Sequence, residues 1–294
     1  MQPLDGTLVV DLSRYLPGPF ASRELLRLGA RVIRLEPPEG DPMRTTAPAW
    51  DAALNAGKES VRIDLKAHPE AGRELCSSAD VVIESFRPGV AARLGVGPGD
   101  LPERIVYCSI TGFGLGGRHE QRVGHDLNYL GWAGVLDDTA PALPPVQVAD
   151  LAAGALEAVV QILAALLERE RTGRGAHVVV SMTHGSHRLA AHRLGGEPVP
   201  QMLTGGAACY RLYRTADGRW LTVAALEPKF WLRLVDLVGL PHLGPSQWEP
   251  RLPELEARLR ERPLVEWLEL FDGEDVCAGP VSTLEEAAEE FGTY

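Results

Sequence analysis

The sequence predicts an α/β fold: a parallel sheet in a large first domain, followed by a smaller α+β domain. Short apolar runs alternate with amphipathic stretches as far as about residue 180, the pattern of strands joined by crossover helices. The pattern changes after His192, where Gly195-Gly196 and Gly205-Gly206 bracket a linker. Beyond it, Asp217-Gly218 sits between two strand-like runs, and helix starts follow. These observations place a large domain over 1–195 and a linker with a small domain over 196–294.

Each element follows from local signals. Leu8-Val9-Val10 reads as a short buried strand, Pro17-Gly18-Pro19 as a turn, and the next helix stops at Gly29 before a strand at Val32–Leu35. Further strands are expected at Val61–Leu65, Val81–Ile83 and Ile105–Ile110, with a helix over Glu70–Cys76. A long helix runs from Leu151 to Arg169 and closes at Gly173, with Asp150, a favoured N-cap type, just before it. Val178–Val180 is the last strand of the first domain. In the second, Asp217-Gly218 predicts a hairpin with a primed turn, and helices follow Pro228, Pro253 and Ser282. Ser282 and Glu285 have capping-box spacing. The run Glu285–Glu290 is a solvated face, while the helical spacing of Leu284, Ala287, Ala288 and Phe291 permits an inward face, the condition under which this helix could close the first domain.

Composition narrows the partners. A formal net charge of −11 disfavours nucleic acid and anionic membrane surfaces, so an anionic ligand needs locally placed Arg and Lys. Cys76, Cys108, Cys209 and Cys277 are far apart, which predicts free thiols in a reducing compartment and no zinc or disulfide framework. The start carries no basic-then-apolar leader. The longest apolar stretch, Leu156–Leu167, holds Glu157 and Gln161 and ends in charges, so no membrane span is expected and the expected location is the cytoplasm.

In a parallel α/β sheet, ligands sit beyond the carboxyl ends of the strands. Three strand ends here run into distinctive loops: the turn after Asp11, Ser85–Gly89, and Thr111–Gly114. Gly124-His125-Asp126-Leu127-Asn128-Tyr129 offers a loop histidine suited to proton transfer near neutrality, or else a surface histidine capping the next helix. Asp150 reads as an N-cap, or as a carboxylate favoured by the helix N-terminus with small residues after it that admit a ligand. Glu227, before Pro228, reads as a helix-start residue. Arg34, Lys58, Lys66, Arg87 and Arg93 lie at strand edges where together they suit phosphates. His184, His187 and His192, without carboxylate support, predict no metal site. No GxGxxG follows the first strand, which argues against a dinucleotide enzyme.

Taken as an ordered series, these segments resemble the family III CoA-transferase (CaiB/BaiF) group. The resemblance rests on Pro17–Phe20, Leu28–Pro37, Gly40-Asp41-Pro42 with Arg44, Asn55–Lys58, Asp64-Leu65-Lys66, Phe86–Gly89, Arg93-Leu94-Gly95, Thr111–Gly114 and Ala216–Gly218. It is closest to the α-methylacyl-CoA racemase branch, through the Gly-His-Asp-x-Asn-Tyr signature at Gly124–Tyr129, the aspartate at Asp150 and the glutamate at Glu227.

The resemblance implies a large Rossmann-like domain, a small α+β domain and an interlocked homodimer. This chain looks shorter than the family, lacking its C-terminal return segment. The implied CoA contacts are Ile63, Asp64, Leu65, Lys66, Ser85, Phe86, Arg87, Arg93, Gly124, Asp126 and Tyr129. The implied catalytic residues are His125, Asp150 and Glu227. CoA enters as part of the thioester substrate; no prosthetic group or metal is implied. The expected reaction is inversion of the α-carbon of 2-methyl-branched acyl-CoA esters. The alternatives are a CoA-transferase using Asp150 as nucleophile and a non-catalytic acyl-CoA-binding protein.

Overall fold

A computed structural model of the chain describes residues 2–137, 139–199 and 201–292. The chain divides into two compact units, Met1–His192 and Arg193–Tyr294, three residues before the boundary expected at 195.

In the first unit the order is β1 (Leu8–Asp11), α1 (Pro17–Arg27), β2 (Arg31–Glu36), α2 (Met43–Thr46), α3 (Pro48–Asn55), β3 (Glu59–Arg62), α4 (Pro69–Ser78), β4 (Val81–Glu84) and α5 (Val90–Arg93). There follow β5 (Val106–Thr111), α6 (Asp126–Trp132), a π-helical stretch Ala149–Leu156 that runs straight into α7 (Glu157–Thr172), then β6 (His177–Ser181) and α8 (Met182–Ala190). The six strands pair in parallel in the order β3-β2-β1-β4-β5-β6. The chain starts in the middle, winds to one edge, then crosses to wind to the other. The carboxyl ends of β1 and β4 therefore flank the point where the winding reverses, the place where open sheets of this kind form a crevice.

Apolar side chains pack on both faces of the central strands. Val9, Val81, Ile83, Val106, Cys108 and Ile110 meet α1 and α7 on one side. Val10, Leu12, Val82 and Tyr107 meet α4 and α5 on the other. Such double burial is why these strands read as near-continuous apolar runs. The helix Ala149–Thr172 is long and apolar enough to cross a membrane by length and composition, yet its Ala155, Ala158 and Ile162 lie in this core. It ends where Gly173 takes a left-handed φ of 72°.

The second unit contains β7 (Tyr210–Arg214), β8 (Trp220–Ala224), α9 (Pro228–Leu237), α10 (Pro253–Leu259), α11 (Leu264–Phe271), β9 (Ala278–Pro280) and α12 (Leu284–Phe291). Its antiparallel sheet, in the order β7-β8-β9, packs with α9, α10 and α11 around a separate core that includes Trp231, Leu234, Leu255 and Trp267.

Several local expectations shift. The strand expected over Val61–Leu65 is Glu59–Arg62, because the Asp64 carboxylate accepts the N–H groups of Lys66 (2.9 Å) and Ala67 (3.3 Å) and turns the chain. The hairpin has no primed turn. Gly218 alone is left-handed (φ 78°), and its N–H bonds to Thr215 O at 3.1 Å in a longer loop. The capping box falls one residue later than Ser282 and Glu285: Thr283 Oγ1 accepts the Glu286 N–H, and Glu286 Oε2 accepts the Thr283 N–H. On α12, Leu284 and Phe291 are 87% and 73% exposed.

Candidate active site

A cleft of about 670 Å³ opens at the carboxyl ends of β1, β4 and β5. His125 and Asp150 both line it, together with Gly124, Tyr129, Ser85, Phe86 and Arg87. A second cleft of about 340 Å³ is lined by Ile63, Asp64, Leu65 and Lys66, with Leu12, Leu35 and Pro37 as apolar walls. Phe86 and Arg14 line both.

Asp150 is the second residue of the π-helical stretch and not its N-cap. Its N–H donates to Asp126 Oδ1 at 3.0 Å, which brings a second carboxylate close. Burial, and then the Asp126 charge, push the Asp150 carboxyl up to about 7. The helix terminus was expected to favour the ionised form; desolvation and like charge outweigh it here. The small residues after Asp150 serve helix packing. A Cβ on Gly154 would lie 3.0 Å from Met182 Cγ, and one on Gly185 would lie 2.8 Å from Ala153 Cβ, so they let α8 approach this helix.

His125 occupies the N-cap position of α6, yet its imidazole caps nothing. The His125 N–H is taken by Asn128 Oδ1 at 3.0 Å, which leaves the ring exposed and without a hydrogen-bond partner among the described residues. Tyr129 stands behind it. A Cβ on Gly112 would fall 2.5 Å from Tyr129 Cε1, and one on Gly124 2.8 Å, so the buried ring fits between two bare backbones. The Tyr129 hydroxyl donates to Gly124 O. Burial, then the nearby Asp150 charge, push this phenol up to about 12. Tyr129 thus braces the His125 loop with its hydroxyl already engaged.

The Ser85–Arg87 segment is set by Glu84, buried at the end of β4, whose Oε2 accepts the Phe86 N–H at 2.6 Å. Burial raises the Glu84 pKa. Lys66 and Arg87 are exposed at the clefts. Arg93 and Asp126 line neither cleft, and the Asp126 carboxylate accepts the Asp150 N–H.

Two of the cations expected to suit phosphates are engaged elsewhere. Arg34 is 3% exposed and pairs with Glu36 (3.2 Å), Asp41 (3.1 Å) and Asp51 (3.2 Å), as a buried charge requires. Lys58 Nζ donates to Pro19 O (2.7 Å), Ser22 Oγ (2.8 Å) and Asn55 Oδ1 (2.9 Å), and burial lowers it to about 8.

Glu227 belongs to the second unit. It is exposed, precedes Pro228 at the start of α9, and its side chain makes no capping bond. His184 Nδ1 lies 2.7 Å from Ser181 Oγ and His187 Nδ1 lies 3.0 Å from Ala133 O. Among the described residues no three His, Cys, Asp or Glu side chains gather as a metal site.

Residue-by-residue reading missed Arg14 and Glu84, and gave Arg122, in the polar loop before Gly124, no role. Arg14 follows the Asp11 turn already singled out, so its position was the available signal. Arg122 lines the larger cleft and stacks on Trp132, with Cζ 4.8 Å from the ring centroid. Nothing in the local sequence announces that platform.

Comparison with known proteins gives the family. The human protein named alpha-methylacyl-CoA racemase is 35% identical over 308 residues, covering 96% of this chain and 78% of that protein. The mouse succinyl-CoA:glutarate CoA-transferase is 30% identical over 327 residues, covering 99% of this chain and 74% of that one. A crystal structure of Rv3272 from M. tuberculosis superposes with a TM-score of 0.83 at 32% identity, covering 98% of this chain and 85% of that chain. A CAIB/BAIF family protein from Brucella suis gives 0.82 at 30% identity, covering 98% and 86%. A family model described as CoA-transferase family III matches residues 4–292, and the chain belongs to that family.

Proposed function

We propose that the chain epimerises 2-methyl-branched acyl-CoA thioesters by proton transfer at the α-carbon. The observation that carries the reading is the pairing in one cleft of the unpartnered His125 imidazole with an Asp150 carboxyl raised to about 7. A thioester acidifies its α-hydrogen because the enolate places charge on oxygen. One basic group removes the α-proton from one face, and the protonated second group returns a proton to the other. The C–H bond broken is replaced by one of opposite configuration, and the two groups end with exchanged protonation states. Groups that alternate in this way work best with pKa values near the operating pH, and Asp150 has been brought there. In the proposal His125 serves one face and Asp150 the other, and a backbone N–H near Asp126 is the oxyanion donor.

The relationship to proteins named as racemases supports the reading, and the relationship to named CoA-transferases supports a second one. In that second reading ionised Asp150 attacks the thioester carbonyl, expels the CoA thiolate and holds the acyl group as a mixed anhydride. Incubation with 2-methylacyl-CoA esters in deuterated water separates them. Epimerisation loads deuterium at the α-carbon, and His125→Ala and Asp150→Ala each cut the rate by about two orders of magnitude or more. CoA exchange between acids, with an adduct on Asp150 and no α-deuterium, decides for the transferase. Binding with neither reaction leaves an acyl-CoA-binding protein.

A further inference from the structure

We propose that Arg14 grips the diphosphate of the bound CoA ester, an inference that rests on the acyl-CoA reading above. The first observation is position. Arg14 and Phe86 are the two residues that line both clefts, and only Arg14 is charged. A CoA ester is a long molecule, with a thioester on a pantetheine arm at one end and an adenosine 3′-phosphate at the other. The diphosphate lies between them. With the thioester beside His125 and Asp150, the far end falls in the smaller cleft. There Leu12, Leu35, Ile63 and Leu65 offer apolar walls to a flat base and Lys66 offers a charge. The diphosphate then crosses the junction where Arg14 stands.

The second observation is that Arg14 is half-buried and has no hydrogen bond or ion pair among the described residues. Arg34 in β2 and Lys58 just before β3 are, by contrast, both fully partnered. A partly desolvated guanidinium without an anion is unfavourable unless a ligand supplies one. Its planar fork suits two phosphoryl oxygens at once.

The third observation is how firmly the turn is held. Buried Asp11 accepts the Ser13 N–H at 2.9 Å and the Ser13 hydroxyl through Oδ1, and the Ser22 hydroxyl at 2.5 Å through Oδ2. The Leu12 N–H donates to Ile83 O at 2.8 Å, tying the turn to β4. Gly18 leaves room for Ser13, since a Cβ there would lie 1.9 Å from Ser13 Oγ. Tyr15, next to Arg14 and lining the larger cleft, holds a left-handed φ of 68°, a strained state for a tyrosine that such a frame sustains. The backbone carrying Arg14 is therefore fixed before ligand arrives.

Calorimetric titration of wild type, Arg14→Ala and Arg14→Lys with CoA, dephospho-CoA and pantetheine tests the assignment. Arg14→Ala should bind CoA and dephospho-CoA about 10- to 100-fold more weakly, the range for a charged hydrogen-bonded contact. It should bind pantetheine as wild type does, with an unchanged melting temperature in the absence of ligand. Arg14→Lys should fall between the two. Should the alanine variant fail to fold, the lysine variant decides by whether its loss spares pantetheine. Equal losses for all three ligands, or none, overturn the assignment. A loss confined to CoA moves Arg14 to the 3′-phosphate and also overturns it. Wild-type protein that binds no CoA compound sinks the acyl-CoA reading itself, and this inference with it.

Discussion

Asp150 shows how one side chain acquires a property that its local sequence does not display. Before a helical run an aspartate reads as an N-cap, and only the fold brings Asp126 to its N–H, 24 residues away. Burial is the larger cause of its raised pKa and the Asp126 charge the second. Asp126→Asn keeps an oxygen to accept the Asp150 N–H and removes the charge. The rising limb of the kcat/KM profile for α-proton exchange should then move to lower pH, while staying above the ordinary carboxylate range because burial remains. A limb that stays in place, or moves up, would show that Asp150 does not govern it. The same shift has a stability consequence of definite sign. The folded pKa lies near 7 and the unfolded one near about 3.9, so Asp150 favours the folded state most at low pH, and that contribution is lost as pH rises towards 7. Asp150→Asn should therefore gain melting temperature over wild type between pH 4 and pH 8, about the window spanned by those two values.

At the scale of elements, the loop after β5 and the start of α6 are clasped by one ring. The sequence marks Thr111–Gly114 as a distinctive loop and Gly124–Tyr129 as a motif. That Gly112 is small because Tyr129 lies against it is legible only once the chain has folded. A Cβ on Gly112, 2.5 Å from Tyr129 Cε1, must push a buried ring that also packs edge-on to Phe113 at 5.5 Å. Gly112→Ala should cost roughly 1–3 kcal/mol of stability, as overpacking does. It should slow α-proton exchange by more, up to about 100-fold, because the His125 loop is displaced. A melt and an exchange rate on the same sample check this; an unchanged rate would mean that Tyr129 does not position His125. The misplaced capping box and strand end teach the same lesson. Ser282 and Thr283 are both favoured cap types by composition, and the competition at Asp64 is between a ladder bond and a side-chain turn. Local propensity places such elements and leaves their last residue to tertiary packing.

At the scale of the whole molecule, the alternation of strands and helices was enough to predict a parallel α/β sheet. The order β3-β2-β1-β4-β5-β6 was not, because which strand lies beside which is decided by long-range packing. That order makes the site, since it sets the end of β1 beside the end of β4 and so brings Arg14 to Phe86. Every residue of both clefts lies in the first unit, whose core is separate from the one around Trp231 and Trp267. A ligand that binds only folded protein adds about 2.7 kcal/mol at a hundred times its Kd. Under the acyl-CoA reading, that gain should appear first in the unit that holds the clefts. Hydrogen exchange at saturating CoA ester should slow the deepest amides of β1, β4 and β5, such as Val9, Val82 and Cys108, by about 100-fold. Amides of β8 and α9, such as Leu221 and Leu234, should change far less. Equal protection in both cores would show that the chain opens as one cooperative body, and that the two cores do not divide its stability as their packing suggests.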